Sequence, residues 1–121
     1  IKIEGNPNEL IQCLINIFNN SKDAFKEIKQ ENPLIFISTS LQNDNLTIRI
    51  KDNAGGIPQN IISKIYDPYF TTKHKSQGTG LGLHITYKLI DEGMHGKIEA
   101  QNVEFEYENK IYKGAEFIIT F

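Results

Sequence analysis

The chain is short of almost every feature that would take it out of the ordinary run of globular domains. One residue of its 121 is a cysteine, Cys13. It has no partner for an internal disulfide, which points to a reducing, cytoplasmic setting. No apolar run reaches transmembrane length and no signal peptide opens the sequence, so nothing in these residues calls for direct membrane contact. Excess charge is also lacking: 13 basic side chains face 15 acidic ones, for a net charge of −2. That balance excludes a general electrostatic pull toward nucleic acid or acidic lipid. There are no internal repeats, and no initiator methionine precedes Ile1. The expectation is one domain excised from a larger parent, long enough to bury about two thirds of its unfolded surface around one core.

What is present reads clearly in order. Ile1 to Glu4 alternates like a short strand, and Gly5 breaks it. A helix follows with Asn6 as N-cap, Pro7 in the first turn and Glu9 in the capping-box place, running to about Lys29. Leu10, Leu14, Ile17, Phe18, Ser21, Ala24, Phe25 and Ile28 form its apolar stripe. Beside the stripe Asn16, Asn20 and Asp23, spaced by four and three, make one narrow polar row. Asparagine is only a fair helix former. The row is therefore either a solvated face or the border of a ligand cavity, supplying neutral oxygens and hydrogen bonds.

After Pro33, Leu34 to Leu41 and Leu46 to Asp52 read as strands joined by the turn Gln42 to Asn45. Leu46, Ile48 and Ile50 share one face, and Asp52 continues that inward parity. A carboxylate there needs a partner. It stands immediately before Asn53-Ala54-Gly55-Gly56-Ile57-Pro58, a turn that lets backbone approach a flat ligand. A short helix is expected over Asn60 to Ile65. From Tyr66 to Gly80 no apolar period remains, and the run reads as a lid, with Tyr69 and Phe70 pinning one end and Lys73 carrying a positive charge. Gly78-Thr79-Gly80-Leu81-Gly82-Leu83 then runs into a helix from Leu83 to about Glu92. Its glycines leave the backbone N–H groups free to turn toward one anion, and the helix adds the positive end of its dipole. Lys97 to Asn102 reads as a strand, and Val103 to Tyr107 with Ile111 to Phe121 as a hairpin about Glu108-Asn109-Lys110, with Phe117, Ile119 and Phe121 on one face. This order fits an α/β two-layer sandwich, a mixed and mostly antiparallel sheet with helices on one face.

Four blocks together carry a resemblance. Asn16-Ile17-Phe18-Asn19-Asn20-Ser21-Lys22-Asp23-Ala24 resembles the N box of the catalytic and ATP-binding domain of bacterial sensor histidine kinases, within the superfamily shared with gyrase, Hsp90 and mismatch-repair ATPases. Asp52 to Pro58 resembles the G1 box, Tyr66-Asp67-Pro68-Tyr69-Phe70-Thr71-Thr72-Lys73 the F box, and Gly78 to Leu83 the G2 box. Their order and spacing match as well, across nearly the whole chain. The resemblance implies the Bergerat fold with a flexible ATP lid, and ATP with Mg²⁺ as ligand. It implies that Asn20 coordinates the magnesium and that Asn16, one turn earlier, supports the same network. Asp23 lies in the N box, and Asp52 would accept a hydrogen bond from the adenine amino group. Gly56 and Ile57 would shape the base pocket. Gly78, Thr79, Gly80, Leu81, Gly82 and Leu83 would cradle the phosphates, and Lys73 would approach them.

The resemblance also bears on chemistry. Asn16 stands where the hydrolysing branches of the superfamily typically carry a water-activating glutamate, and an amide is no general base near neutral pH. Transfer of the γ-phosphoryl group to a docked histidine therefore fits better than hydrolysis. His74, His84 and His95 are the only histidines, and none has the helical His-Glu or His-Asp setting of the family's acceptor. That acceptor is expected on a helical dimerisation domain outside this chain, with a response regulator downstream. An ATP-binding sensor without kinase activity, a serine-directed kinase and an ATPase of the gyrase kind are the alternatives. Three positions depart from the family pattern: Tyr66 replaces a phenylalanine, Ser21 stands where alanine is common, and Ala115 where threonine is common.

Overall fold

The computed structural model describes residues 6–67 and 82–121. Helix α1 spans Pro7–Ile28. Its start follows the sequence grammar: Asn6 Oδ1 accepts the Asn8 N–H at 2.8 Å, and proline occupies the first turn, where its missing donor costs nothing. The helix ends at Lys29, in the left-handed conformation with φ 53°. Cys13, Ile17 and Ser21 are its buried residues. They repeat every four positions along the centre of the apolar face, with Leu10, Leu14 and Phe18 packed beside them. Ile28, expected in the stripe, is 48% exposed.

Strands β1 (Ile35–Gln42) and β2 (Asn45–Asp52) form the first hairpin. Gln42 pairs with Asn45, so the expected four-residue turn is a tighter one. Asn43 and Asp44 supply its two positive φ angles, 51° and 66°, as the right-handed twist of a hairpin demands. In β2, Ile48, Ile50 and Asp52 are all buried, as their shared parity predicts. The expected helix near residues 60–65 is only a 3-10 turn, Ile62–Lys64, held by i→i+3 bonds such as Lys64 N–H to Ile61 O at 2.8 Å. So short a segment cannot offset the cost of nucleating an α-helix.

Helix α2 spans Gly82–Lys88 and continues as one π-helical stretch, Leu89–Gly93. The wider turn closes with Met94 N–H on Leu89 O at 3.0 Å. Ile90 and Met94 thereby reach the core while Asp91 and Glu92 stay in water. Strands β3 (Lys97–Tyr107) and β4 (Lys110–Thr120) pair along their full lengths. The break expected after Asn102 is absent, since neither glycine nor proline interrupts β3 there and Asn102 pairs with Ala115.

The sheet order is β1-β2-β4-β3, and each of its three pairings is antiparallel. One face carries Ile48, Ile50, Ile98, Ala115, Phe117 and Ile119 toward Cys13 and Ile17 of α1 and toward Ile90 and Met94. Each fully buried isoleucine or phenylalanine in this layer stabilises the fold by roughly 1.5–3 kcal/mol. On the other face Phe36 packs against Phe105 and Tyr107 at centroid distances of 5.6 and 5.0 Å. Lys51 Nζ sits over the Phe105 ring at 4.3 Å. These contacts hold the outer half of the β3–β4 hairpin, which overhangs β2, against the sheet.

Gly114 lies at the closest approach of that hairpin to β2. A Cβ built on it would stand 1.7 Å from the Asp52 carbonyl oxygen. The atom in the way is backbone and cannot rotate aside, so Gly114→Ala is expected to destabilise the fold by about 3 kcal/mol or more, read as a drop in the urea midpoint or failure to fold. The opposite result is expected at the second hairpin turn, where Glu108 holds φ 49°. Glu108→Asn places a residue that tolerates this conformation and should raise stability by roughly 0.5 kcal/mol or more, measurable in the same titration.

Candidate functional site

Asp52 ends β2 with only 4% of its surface exposed. Its Oδ2 accepts the Ser21 hydroxyl at 2.7 Å. Its Oδ1 accepts the Ala54 N–H at 3.0 Å and the Ala115 N–H at 3.1 Å. Three neutral donors from α1, the following loop and β4 thus fix the carboxylate, and among the described residues it has no ion pair. Oδ1 is saturated by two donors. Oδ2, with one, keeps a lone pair able to accept a further N–H. A buried acceptor of this kind suits a flat polar ligand carrying an amino group, and penalises one that presents a carbonyl there.

The loop after Asp52 is tied on three sides. Asn53, 1% exposed, accepts the Leu34 N–H on Oδ1 at 2.8 Å and donates to Asn32 O at 2.9 Å, while its own carbonyl accepts from Gln30. The Gly55 N–H donates to Lys113 O at 3.0 Å. Gly55 and Gly56 take φ of 93° and 87°, a conformation that glycine alone adopts freely. Ile57 is held from β3: Asn102 Oδ1 accepts its N–H at 2.6 Å, and Asn102 Nδ2 donates to its carbonyl at 2.7 Å.

On α1 the polar row divides into two different settings. Asn16 Nδ2 donates to Gly82 O at 3.2 Å and to Thr86 Oγ1 at 3.1 Å, and Gln12 donates to its Oδ1 at 2.9 Å. Thr86, fully buried, adds its own bond to Gly82 O at 2.8 Å. Asn16 therefore holds the first turn of α2 against α1. Asn20, one turn on, is half-buried, and its amide is engaged by none of the hydrogen bonds among the described residues. Ser21, the next residue, carries the bond to Asp52, so along α1 the free amide directly precedes the hydroxyl that pins the carboxylate. Asp23 is half-buried on the same row, and Leu83 packs against the core from α2. Cys13 lies beneath Thr86, its thiol 3.9 Å from the Thr86 carbonyl oxygen. Burial pushes that thiol up to about 11, with the Glu9 carboxylate adding to the effect, so at neutral pH it stays protonated and a poor nucleophile.

Lys73, Gly78, Thr79, Gly80 and Leu81 lie outside the described residues, as do Tyr69 and Phe70 and the strand expected over residues 1–4. Of the glycine-loop residues, Gly82 and Leu83 are described. Tyr66 joins the core, and its hydroxyl has no hydrogen-bond partner among the described residues. Burial, with smaller contributions from Glu99 and Tyr87, raises its pKa. Its carbonyl oxygen lies 3.1 Å from His84 Nδ1, so His84 joins α2 to the chain before the glycine loop. Sequence reasoning missed Asn102, Thr86 and the partnership of Ser21 with Asp52. Ser21 was the detectable one, a hydroxyl one residue after Asn20 and inside an apolar stripe. Asn102 gave no such signal, since its partner is backbone 45 residues away.

Residues 5–121 match the family described as histidine kinase-, DNA gyrase B-, and HSP90-like ATPase. The structure is similar to the nucleotide-free catalytic domain of histidine kinase ThkA, with a TM-score of 0.75 and 32% identity over 98% of this chain and 69% of that one. In sequence the chain is 33% identical to a probable C4-dicarboxylate sensor kinase of Halalkalibacterium halodurans over 78% of its length, and 32% identical to sporulation kinase C of Bacillus subtilis over 95%. It spans 17% and 24% of those two relatives. A family match over nearly the whole chain, joined to a solved histidine kinase catalytic domain of the same fold, places the chain in the histidine kinase-, DNA gyrase B- and HSP90-like ATPase family as a catalytic ATP-binding domain of the sensor histidine kinase kind.

Proposed function

We propose that this domain binds ATP between Asp52 and the start of α2, and transfers the γ-phosphoryl group to a histidine on a separate helical dimerisation domain of its parent, for relay to a response regulator. The observation that carries the reading is the pairing of a buried, charge-bearing acceptor with an open amide: Asp52 Oδ2 retains capacity for one donor, and Asn20 stands beside Ser21 with its amide disengaged. Adenine presents an amino group to Asp52 where guanine presents a carbonyl, so the site would select ATP. Gly56 and Ile57 form the wall for the base.

The amides then have separate roles. Asn20 is assigned the magnesium; when bound, that ion supplies charge neutralisation for the phosphates. The donor set fits: Asn20 offers a neutral amide oxygen that no hydrogen bond among the described residues engages, and Mg²⁺ commonly takes one or two protein oxygens with phosphates and waters. Asn16 acts indirectly, by holding Gly82 and Thr86 and so the helix whose first turn closes the anion seat of Gly78, Thr79, Gly80, Leu81, Gly82 and Leu83. Lys73 is assigned to the phosphates and Asp23 to the polar row flanking them. Since Asn16 is an amide bonded on both sides, no base stands there to activate water, and positioning of an external acceptor supplies the chemistry. Among the described residues no helix is long and apolar enough to cross a membrane; a cytoplasmic location is part of the same proposal, whether or not the parent is anchored.

Asp52→Asn tests the base-recognition half. The amide oxygen can still accept from Ala54 and Ala115, so the loop stays pinned, but the lone pair offered to adenine is replaced by a donor. ATP affinity measured calorimetrically with Mg²⁺ should fall by about 1.5–3 kcal/mol, or roughly 10- to 150-fold, with little change in melting temperature. Phosphotransfer is tested by mixing the domain with radiolabelled ATP and a separately expressed dimerisation domain carrying the acceptor histidine. Acid-labile, base-stable label on that domain is expected; tight ATP binding without it would instead favour a nucleotide sensor, and steady phosphate release an ATPase.

A further inference from the structure

Asn102 stands in the middle of β3, where its backbone already pairs with Ala115. Its side chain is exposed yet makes the two shortest bonds of the loop, 2.6 Å from the Ile57 N–H and 2.7 Å to the Ile57 carbonyl. One primary amide thus does for Ile57 what a neighbouring strand would do, satisfying donor and acceptor of the same residue together. The anchors nearer Asp52 do not reach this far. Asn53 ties residues 30–34, Ala54 bonds Asp52, and Gly55 bonds Lys113. Beyond Ile57 the chain leads to the 3-10 turn, and among the described residues no other hydrogen bond fixes Ile57. Gly56 is shaped to the same contact: a Cβ there would lie 2.9 Å from Asn102 Oδ1, so a side chain at 56 would dislodge the amide.

We propose that Asn102 is a positioning residue of the nucleotide site. It sets the height of Ile57, and hence the spacing between the base wall and Asp52, without contacting the nucleotide. The inference rests on the reading that the base lies against Gly56 and Ile57. A loop fixed before binding has no ordering left to lose, so releasing it weakens the ligand that depends on its position. The ligand affected is the one that needs Asp52 and the wall in register, ATP; a nucleotide that already mismatches Asp52 loses less. Asn102 therefore contributes to base selectivity, which a clamp serving stability alone would leave untouched.

The test compares the wild-type chain with Asn102→Ala and Asn102→Asp. The alanine removes both bonds, and the aspartate keeps the one from the Ile57 N–H but sets an oxygen against the Ile57 carbonyl. ATP and GTP are titrated with Mg²⁺, amide exchange at Ile57 is followed by NMR, and melting temperatures serve as control. ATP affinity is expected to fall about three- to tenfold in both variants. The ATP-to-GTP preference should shrink, Ile57 should exchange faster in the alanine variant, and Asp52-linked Ala54 and Ala115 should keep their protection. Faster exchange at Ile57 with an unchanged ATP-to-GTP ratio in both variants overturns the proposal and leaves a purely structural clamp. Failure of the wild-type chain to bind ATP is a separate result, which overturns the nucleotide-site reading and this inference with it.

Discussion

A carboxylate taken out of water is the constraint around which this domain is built. Asp52 is almost wholly buried, and an ionised group in that position is tolerated only if donors replace the water it has lost. Those donors come from three elements, two of them distant in sequence: the hydroxyl of Ser21 on α1, the N–H of Ala115 on β4, and the N–H of Ala54 in the loop that follows Asp52. Satisfying one side chain therefore fixes how α1 sits on the sheet, where the loop turns, and how closely β4 approaches β2. The last demand accounts for Gly114, whose missing side chain leaves space for the Asp52 backbone. Binding capacity is what remains after these structural obligations are met, one lone pair on Oδ2.

The amide row follows the same logic of satisfied and unsatisfied groups. Asn16 and Asn20 are one turn apart and chemically identical, yet packing gives them opposite conditions. The first faces α2, where Gly82 and Thr86 occupy both of its hydrogens. The second is engaged by no group of that helix among the described residues. Side-chain identity alone could not separate a bracket from a ligand; the neighbouring helix does.

Periodicity carried much of the architecture. Asn6 and Pro7 mark where α1 starts, the alternation of Leu46, Ile48, Ile50 and Asp52 fixes which side of β2 is interior, and both hairpins were legible from polar residues between apolar runs. These signals are local, and local rules produce them. The discrepancies arise where tertiary contacts decide. Cys13 sits at the centre of the α1 face although the expected stripe omits it, because Thr86 packs over that position. The π turn at Leu89–Gly93 answers to the core's need for Ile90 and Met94. Asn102 was invisible for a related reason, since an asparagine in a strand announces nothing until its backbone partner is placed. The motif blocks point to Asp52, Asn20 and the glycine loop, but not to the partners that hold Asp52 and Gly82.

Two cross-links described above meet at one point in the chain. Tyr66 is joined to His84 through its carbonyl, and Gly82 is joined to Asn16. Tyr66 and Gly82 are thus each fastened by bonds of their own, independently of the sequence between them. For a segment anchored in this way, doubling its length costs only about 0.6 kcal/mol of closure entropy. The sequence between those two anchors can therefore change in length at little thermodynamic cost, while the fastenings on either side of it stay as they are.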